Sequence, residues 1–218
     1  MEHKSFEREI PDGYELAKYM DARKVIFGLV MNILALIILL IVAFVNIMLL
    51  GLAGYKVLAI ENLYQTTRIG IIVGVVLSLI YIVFHELVHG YAYKKKTGEK
   101  LTFGMSWSCA YCGVPNIYVY RKPAIFAALA PFVFFGSIFL VLTVVSLSVI
   151  AITGNTKVLN VFYTMYVALT ILQGLHLGGC SGDVYVTLLL CGRFKDDRVL
   201  VRDTGPEQFF YIPIDKQN

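Results

Sequence analysis

Two histidines and a glutamate form the sequence His-Glu-x-x-His at His85, Glu86 and His89. In an α-helix, positions i and i+4 lie on the same face one turn apart, so both imidazoles can reach a single metal ion. Glu86 then lies beside the metal, where its carboxylate can act on a metal-activated water. The spacing therefore predicts a zinc centre with His85 and His89 as ligands and Glu86 as the catalytic base and acid.

The motif lies inside an apolar run, residues 69–93, that is long enough to cross a membrane. Ionisable side chains at membrane depth are energetically expensive, and those that occur there usually serve a function. In the alternative interpretation, neighbouring helices satisfy these polar side chains without a metal. Three ionisable groups within five residues are hard to satisfy in lipid in that way, so the metal interpretation is preferred.

The composition indicates an integral membrane protein. The chain is 58% hydrophobic and 16% charged, with a mean hydropathy of +0.71, whereas a soluble domain is closer to a quarter charged. We therefore predict an all-α membrane protein with about four transmembrane helices and a small cytoplasmic β-hairpin between the second and third. The predicted spans are residues 25–50, 69–93, 123–152 and 158–191. Pro131 is expected to bend the third span or to mark its true start.

The charged segments divide the chain further. Residues 1–24 are expected to form a cytoplasmic segment with a short surface helix near residues 14–24, and no cleavable signal peptide is expected there. Residues 25–191 would form the membrane metalloprotease domain, with residues 94–122 as a loop, and residues 192–218 a cytoplasmic tail. Lys and Arg number 5, 2, 6, 1 and 5 in the successive non-membrane segments. This alternation predicts a multi-pass protein of a bacterial-type cell membrane with both termini in the cytoplasm.

A catalytic zinc usually has three protein ligands, and Asp183 and His176 are the candidates for the third. His85 precedes Lys94 by nine residues, and Asp183 precedes Arg193 by ten. At about 1.5 Å per residue, both side chains lie about 13–15 Å from the charged edge, and His176 lies roughly 10 Å further away. Equal depth favours Asp183 as the ligand and leaves His176 as an alternative ligand or a supporting group.

Small residues recur on two of the predicted helices, at Gly70 with Gly74 and at Gly174 with Gly178 and Gly182. Such stripes let another helix approach closely. The adjacent glycines 178 and 179 are also expected to unwind their helix locally.

The loop after the motif predicts a β-hairpin. Its two strands, Leu101 to Trp107 and Val114 to Tyr120, are rich in β-branched and aromatic residues and flank a short turn. An edge strand beside the metal could pair with an unwound peptide, and Asn116 is a candidate contact for substrate. Alternatively, the hairpin only fills the helical bundle.

Cys109 and Cys112 form an isolated Cys-x-x-Cys pair. A structural zinc site needs two further ligands of this kind, and a redox site needs a thioredoxin-like context. Neither is found nearby, so the two cysteines are interpreted as small residues in a turn.

The segment HELVHG on a membrane helix, the hairpin-like loop, two further spans and the late segment GGCSGD resemble the putative zincin membrane peptidase family. The layout is also similar to the site-two class of intramembrane metalloproteases, over most of residues 69–191. The resemblance implies that His85 and His89 bind one zinc ion, that Glu86 is the catalytic acid and base, and that Asp183 takes the part of the aspartate in the site-two late motif. The Ser-Gly-Asp-Val sequence departs from the Asp-Gly pair of that motif.

These features predict a membrane-embedded zinc endopeptidase acting on membrane or membrane-proximal protein substrates. The alternative is a non-catalytic membrane protein that holds a metal and acts as an adaptor or regulator. Glu86 argues against the alternative, because a purely structural site does not need a carboxylate next to its first histidine. Haem binding is disfavoured because haem usually needs ligands from facing helices on both sides of its ring. Ion transport is disfavoured because the predicted spans offer no second glutamate or basic residue for a relay. The expected partners are a protein substrate and membrane lipid, with no nucleic acid.

Overall fold

The computed structural model of the protein describes residues 4–52 and 54–214, without the side chains of residues 54–56. The described residues contain five α-helices: α1 (Val25–Gly51), α2 (Leu63–Thr97), α3 (Arg121–Ile152), α4 (Thr156–Gly179) and α5 (Ser181–Gly192). A 3₁₀ helix, Gly54–Ala59, lies between α1 and α2. Helix α2 therefore begins earlier and ends later than the span predicted for it, because polar residues extend it at both ends.

Strands are also present, so the prediction of an all-α protein was wrong. The described residues form seven strands: β1 (Phe6–Glu7), β2 (Tyr14–Asp21), β3 (Thr102–Met105), β4 (Ala110–Gly113), β5 (Tyr118–Tyr120), β6 (Leu200–Asp203) and β7 (Glu207–Pro213). Five of them form one sheet in the order β1-β5-β6-β7-β2, and β3 and β4 form a separate two-stranded sheet. All the pairings are antiparallel.

The five-stranded sheet joins segments that are far apart in the chain. Strand β2 pairs with β7 from Tyr14 opposite Pro213 to Asp21 opposite Glu207. The surface helix expected at residues 14–24 is therefore wrong, since most of that segment is strand. Pairing across almost the whole chain length outweighs local helical preference here, because strand propensity depends strongly on the neighbouring strands.

The β-hairpin predicted in the loop after α2 is present, but its second strand was assigned wrongly. Strand β3 pairs with β4, from Thr102 opposite Gly113 to Met105 opposite Ala110. A tight turn closes it, in which the Ser106 amide donates to the Cys109 carbonyl at 2.8 Å. Strand β5, which the prediction had placed in the hairpin, instead pairs with β1 and β6 in the larger sheet.

The chain forms two compact units, and the first contains residues up to 32, residues 83–131 and residues from 181 onward. In this unit, the end of α2, the start of α3 and α5 pack with the sheet around a buried core that includes Val114, Val119, Leu190 and Phe210. Gly113 lies so close to the backbone of residues 203–205 that an added Cβ would displace it. Helices and sheet therefore share one core in this unit.

The second unit contains residues 33–82 and 132–180 and is built from helices. A Cβ on Gly70 or Gly74 of α2 would lie 2.9 or 3.0 Å from carbonyl oxygens of α4. A Cβ on Gly178 would lie 2.8 Å from a carbonyl oxygen of α1, and one on Gly174 would meet Leu39 of α1. Small residues thus permit close helix packing at these four positions, whereas a Cβ added to Gly182 would meet no described atom of another element within 4 Å.

Four helical stretches are long and apolar enough to cross a membrane: Val25–Gly51, Leu63–Thr97, Arg121–Ile152 and Thr156–Gly192. Even the shortest has 27 residues, which at about 1.5 Å per residue exceeds the roughly 30 Å hydrocarbon layer. Leu36, Leu40 and Phe44 of α1 are more than half exposed. Large exposed apolar surfaces of this kind need lipid or a partner to cover them, so the protein is a membrane protein.

Candidate metal centre

Three candidate ligands meet within the first unit. His85 and His89 lie one turn apart on α2, and Asp183 lies in the first turn of α5. The Oδ2 atom of Asp183 is 3.4 Å from Nε2 of His85 and 3.4 Å from Nε2 of His89. Both histidines are 8% exposed. The ligand atoms of the three residues all lie within 4.8 Å of one another.

A break in the fourth apolar stretch gives Asp183 its position at a helix start. Helix α4 ends at Gly179, and the Cys180 amide donates to the carbonyls of His176 and Gly178. Helix α5 then starts at Ser181, so the fourth stretch is interrupted where the adjacent glycines were expected to unwind it. The unpaired amides of a first helical turn favour a negative charge, and Asp183 supplies one there.

The spacing of these atoms fits a shared divalent metal better than a direct ion pair. A charge-assisted bond between an imidazole and a carboxylate is usually about 2.7–2.9 Å long. Nitrogen and oxygen ligands held at about 2.0–2.1 Å in a tetrahedral zinc site lie about 3.4 Å apart. One oxygen of Asp183 stands 3.4 Å from both imidazoles, and two imidazoles with a carboxylate are a ligand set that zinc accepts. The residues therefore fit zinc.

The second nitrogen of His89 is also engaged. Nδ1 of His89 is 2.9 Å from the backbone carbonyl oxygen of Ala127 in α3. Since a carbonyl only accepts hydrogen bonds, Nδ1 carries the proton and donates it, which leaves Nε2 with a lone pair facing Asp183. Metal-binding histidines are commonly oriented by such a bond.

Glu86 lies next to His85 and is half-buried. Its charge also acts on the thiol of Cys112 in β4. Burial raises the pKa of the Cys112 thiol to about 12, and the carboxyl groups of Asp203 and Glu86 act in the same direction. Cys112 therefore remains a neutral thiol at ordinary pH, which disfavours nucleophilic attack by its sulfur. Cys109 and Cys112 are both free thiols.

The two other predicted site residues lie in different surroundings. His176 is in the second unit and is 1% exposed. Its Nδ1 is 2.7 Å from the Tyr81 hydroxyl, and its Nε2 is 3.3 Å from the Phe132 carbonyl oxygen. Asn116 lies in an exposed turn between β4 and β5, outside the buried ligand group. The structure thus brings His85, His89 and Asp183 together and ties His176 to polar partners of its own unit.

A buried pair that the sequence analysis missed connects the motif helix to the tail. Tyr93 lies one turn after His89, and its hydroxyl donates to Oδ2 of Asp203 at 2.7 Å. Oδ1 of Asp203 accepts the Gly205 amide at 2.8 Å. Asp203 is 4% exposed. A buried carboxylate is costly unless it is hydrogen-bonded, and because Asp203 ends β6, this contact links the motif helix to the tail sheet. In the sequence, this pair was indicated only by the position of Tyr93, which lies on the same helix face as His89.

Asp203 should make stability fall as pH rises from acid to neutral. Burial raises its pKa to about 6, although the hydrogen bonds from Tyr93 and Gly205 oppose the shift. The unfolded value is about 3.9, so the folded chain holds this proton more tightly between about pH 4 and pH 6. The contribution of Asp203 to stability is therefore lost through that window, and it amounts to about 3 kcal/mol. We expect Asp203→Asn to abolish this loss.

The measurement is the unfolding temperature of the metal-free protein in detergent at pH 4.5 and 7, for the parent and the variant. Asp197→Asn is the matched control, because Asp197 is exposed and its pKa is lowered chiefly by Lys122, which places its titration below the window. Equal pH slopes in the parent and Asp203→Asn would show that the Asp203 carboxyl is not the group responsible.

Together, the apolar helices and a His-His-Asp ligand group beside a glutamate point to a membrane metallopeptidase. The chain belongs to the family described as Putative zincin peptidase, whose sequence profile matches residues 78–197, more than half of the chain. This match confirms the family resemblance and, by the family's description, indicates a zinc-dependent peptidase. No match was found among the curated proteins or the solved structures.

Proposed function

We propose that the protein is a membrane-embedded zinc endopeptidase that cleaves membrane or membrane-proximal protein substrates. The observation that carries the proposal is the single Asp183 oxygen 3.4 Å from the Nε2 atoms of both motif histidines, with Glu86 adjacent to the first of them. A purely structural zinc site is normally closed by four protein ligands. Three ligands with a neighbouring carboxylate instead leave one position open for reactants.

The chemistry divides between the metal and the side chains. His85, His89 and Asp183 would hold the zinc ion, which would supply a positive charge to polarise the substrate carbonyl and to make water more acidic. Glu86 accepts a proton from the attacking water as the new C–O bond forms at the carbonyl carbon. Glu86 then donates that proton to the amide nitrogen as the C–N bond breaks, so that an acid and an amine leave the site. His89 is held in its ligand tautomer by Ala127.

The sheet supports a topology in which the amino-terminal segment, the loop after α2 and the tail lie on one side of the membrane. Strands β1 and β2, β5, and β6 and β7 come from these three segments and share one sheet. The same segments carry five, six and five Lys and Arg residues. Basic segments are retained in the cytoplasm, so we infer that the sheet and both termini are cytoplasmic.

The β3–β4 hairpin is the proposed contact surface for substrate. Phe103 of β3 packs against Gly90, the residue that follows His89, where an added Cβ would lie 2.7 Å from its ring. The two-stranded sheet of the hairpin leaves backbone groups of an edge strand open to a further strand. A substrate helix must unwind before hydrolysis, and the unwound segment can add to such an edge.

Metal analysis of the purified protein in detergent tests the proposal. We expect about one zinc per chain, and we expect cleavage of proteins from solubilised bacterial membranes, detected as new amino termini by mass spectrometry. Removal of zinc with 1,10-phenanthroline should abolish cleavage, and added zinc should restore it. The reason is that the three ligand side chains do not polarise the substrate carbonyl without the metal. Zinc binding without any new amino termini would favour the metal-binding adaptor instead. Absence of zinc would overturn both interpretations.

A further inference from the structure

A proline inside α3 leaves one buried carbonyl without its helical partner. Pro131 lies in the interior of Arg121–Ile152. In a regular α-helix, the amide of residue 131 would donate to the carbonyl of residue 127. Proline has no amide hydrogen, so the Ala127 carbonyl oxygen must find another donor.

The donor is a candidate zinc ligand. Nδ1 of His89 lies 2.9 Å from the Ala127 oxygen. Ala127 has an exposure of 0%, and Pro131 is among the fully buried side chains. Bulk water therefore does not reach this carbonyl as a substitute donor. His89 instead supplies the hydrogen bond that the carbonyl lacks because residue 131 is a proline.

We propose that Pro131 is a positioning residue of the metal centre. Because it lacks an amide hydrogen, it keeps the Ala127 carbonyl open to His89, and the resulting bond holds the imidazole with Nε2 facing Asp183. The inference rests on the proposed function, since it assigns a purpose to the orientation of His89. Pro131 is proposed to contact neither substrate nor metal and to act only through the Ala127 carbonyl.

A simple bend does not explain the arrangement as well. A proline that served only to bend α3 could lie at any position where a bend was needed. A hydrogen bond between its freed carbonyl and a motif histidine would then not be expected. Here the freed carbonyl is the one four residues before the proline, and the side chain bonded to it belongs to the metal motif. The helical hydrogen bond that α3 loses at Ala127 is thus replaced by the kind of bond that usually orients a metal-binding histidine.

The test is the zinc affinity of Pro131→Ala, measured by competition with a chromophoric chelator in detergent. Alanine restores an amide that competes with His89 for the Ala127 carbonyl. Loss of such an orienting bond weakens metal binding by about 10–100-fold, and we expect a decrease in that range. Pro123→Ala is the matched control. Pro123 lies in the first turn of α3, where amides have no helical acceptor, and its replacement should leave zinc affinity unchanged.

A double variant separates the open carbonyl from the bend. Ala130→Pro combined with Pro131→Ala keeps a proline in the helix but frees the carbonyl of residue 126 instead. We expect this variant to bind zinc as weakly as Pro131→Ala. Wild-type zinc affinity in either variant would overturn the inference. A lower unfolding temperature of metal-free Pro131→Ala would also overturn it, because Pro131 would then be a structural residue.

The controls distinguish this inference from the proposed function. If the parent protein binds no zinc, or if His89→Ala binds it as tightly as the parent, the metal centre itself is wrong. If the parent binds zinc, His89→Ala loses it and Pro131→Ala retains it, only the role of Pro131 is wrong.

Discussion

Replacing Glu86 with Gln is expected to reduce peptide-bond hydrolysis by about 10²–10⁴-fold while zinc remains bound, since that is the usual contribution of a positioned acid and base. The amide is nearly isosteric with the carboxylate but cannot accept the proton of the attacking water. Glu86 does not belong to the group of ligand atoms formed by His85, His89 and Asp183, so zinc affinity should change little. The rate of appearance of new amino termini and the zinc content of the same preparation are the two measurements.

Glu61→Gln is the matched control, because Glu61 is an exposed carboxylate before α2 and should be replaceable without effect on either measurement. Parent-like hydrolysis by Glu86→Gln would exclude the proposed mechanism. Simultaneous loss of zinc and activity would instead make Glu86 part of the metal-binding group, which would require a different base.

Replacing Asp183 with Ala should weaken zinc binding by more than about 100-fold, because even residues that only orient the ligands contribute 10–100-fold. His176→Ala should leave zinc affinity within about threefold of the parent. Its main effect should be on stability, since the buried Tyr81 hydroxyl 2.7 Å from Nδ1 of His176 loses that partner, at a cost of about 1–3 kcal/mol. Chelator competition and thermal unfolding in detergent measure the two effects.

The two variants test the third ligand directly, because each removes one of the two candidates that the sequence leaves open. The expected pattern is loss of zinc in Asp183→Ala with little change in metal-free stability, and the reverse in His176→Ala. Loss of zinc only in His176→Ala would exclude Asp183 as the third ligand.

Much of the candidate site follows from local patterns. In any α-helix, residues spaced like His85 and His89 at i and i+4 lie on the same face. Counting residues to the nearest charged edge at a constant rise predicts similar depths for His85 and Asp183, and the structure brings the Asp183 carboxylate to both imidazoles. The orientation of His89 also had a signal in the sequence, because a proline at position 131 necessarily frees the carbonyl of residue 127. What could not be predicted was which donor would meet that carbonyl.

The strands were harder to predict from the sequence than the helices. Thr204, Gly205 and Pro206 separate two apolar runs in the tail, which is a turn signal that could have predicted the β6–β7 hairpin. The partner of β7 could not be predicted in this way, because β2 lies near the other end of the chain. Strand pairing depends on contacts between distant segments, and strands of two to four residues carry too little periodicity to be recognised.

By itself, the sequence determined the four apolar stretches and the membrane character that they imply, and it predicted the metal motif, because hydropathy and helical spacing are local properties of the chain. The tertiary structure alone decided that the two terminal segments pair in a sheet, that Asp203 meets Tyr93 and that Ala127 bonds to His89. These contacts join residues that are 38 or more positions apart. Their formation depends on how the segments pack together, which no local pattern encodes.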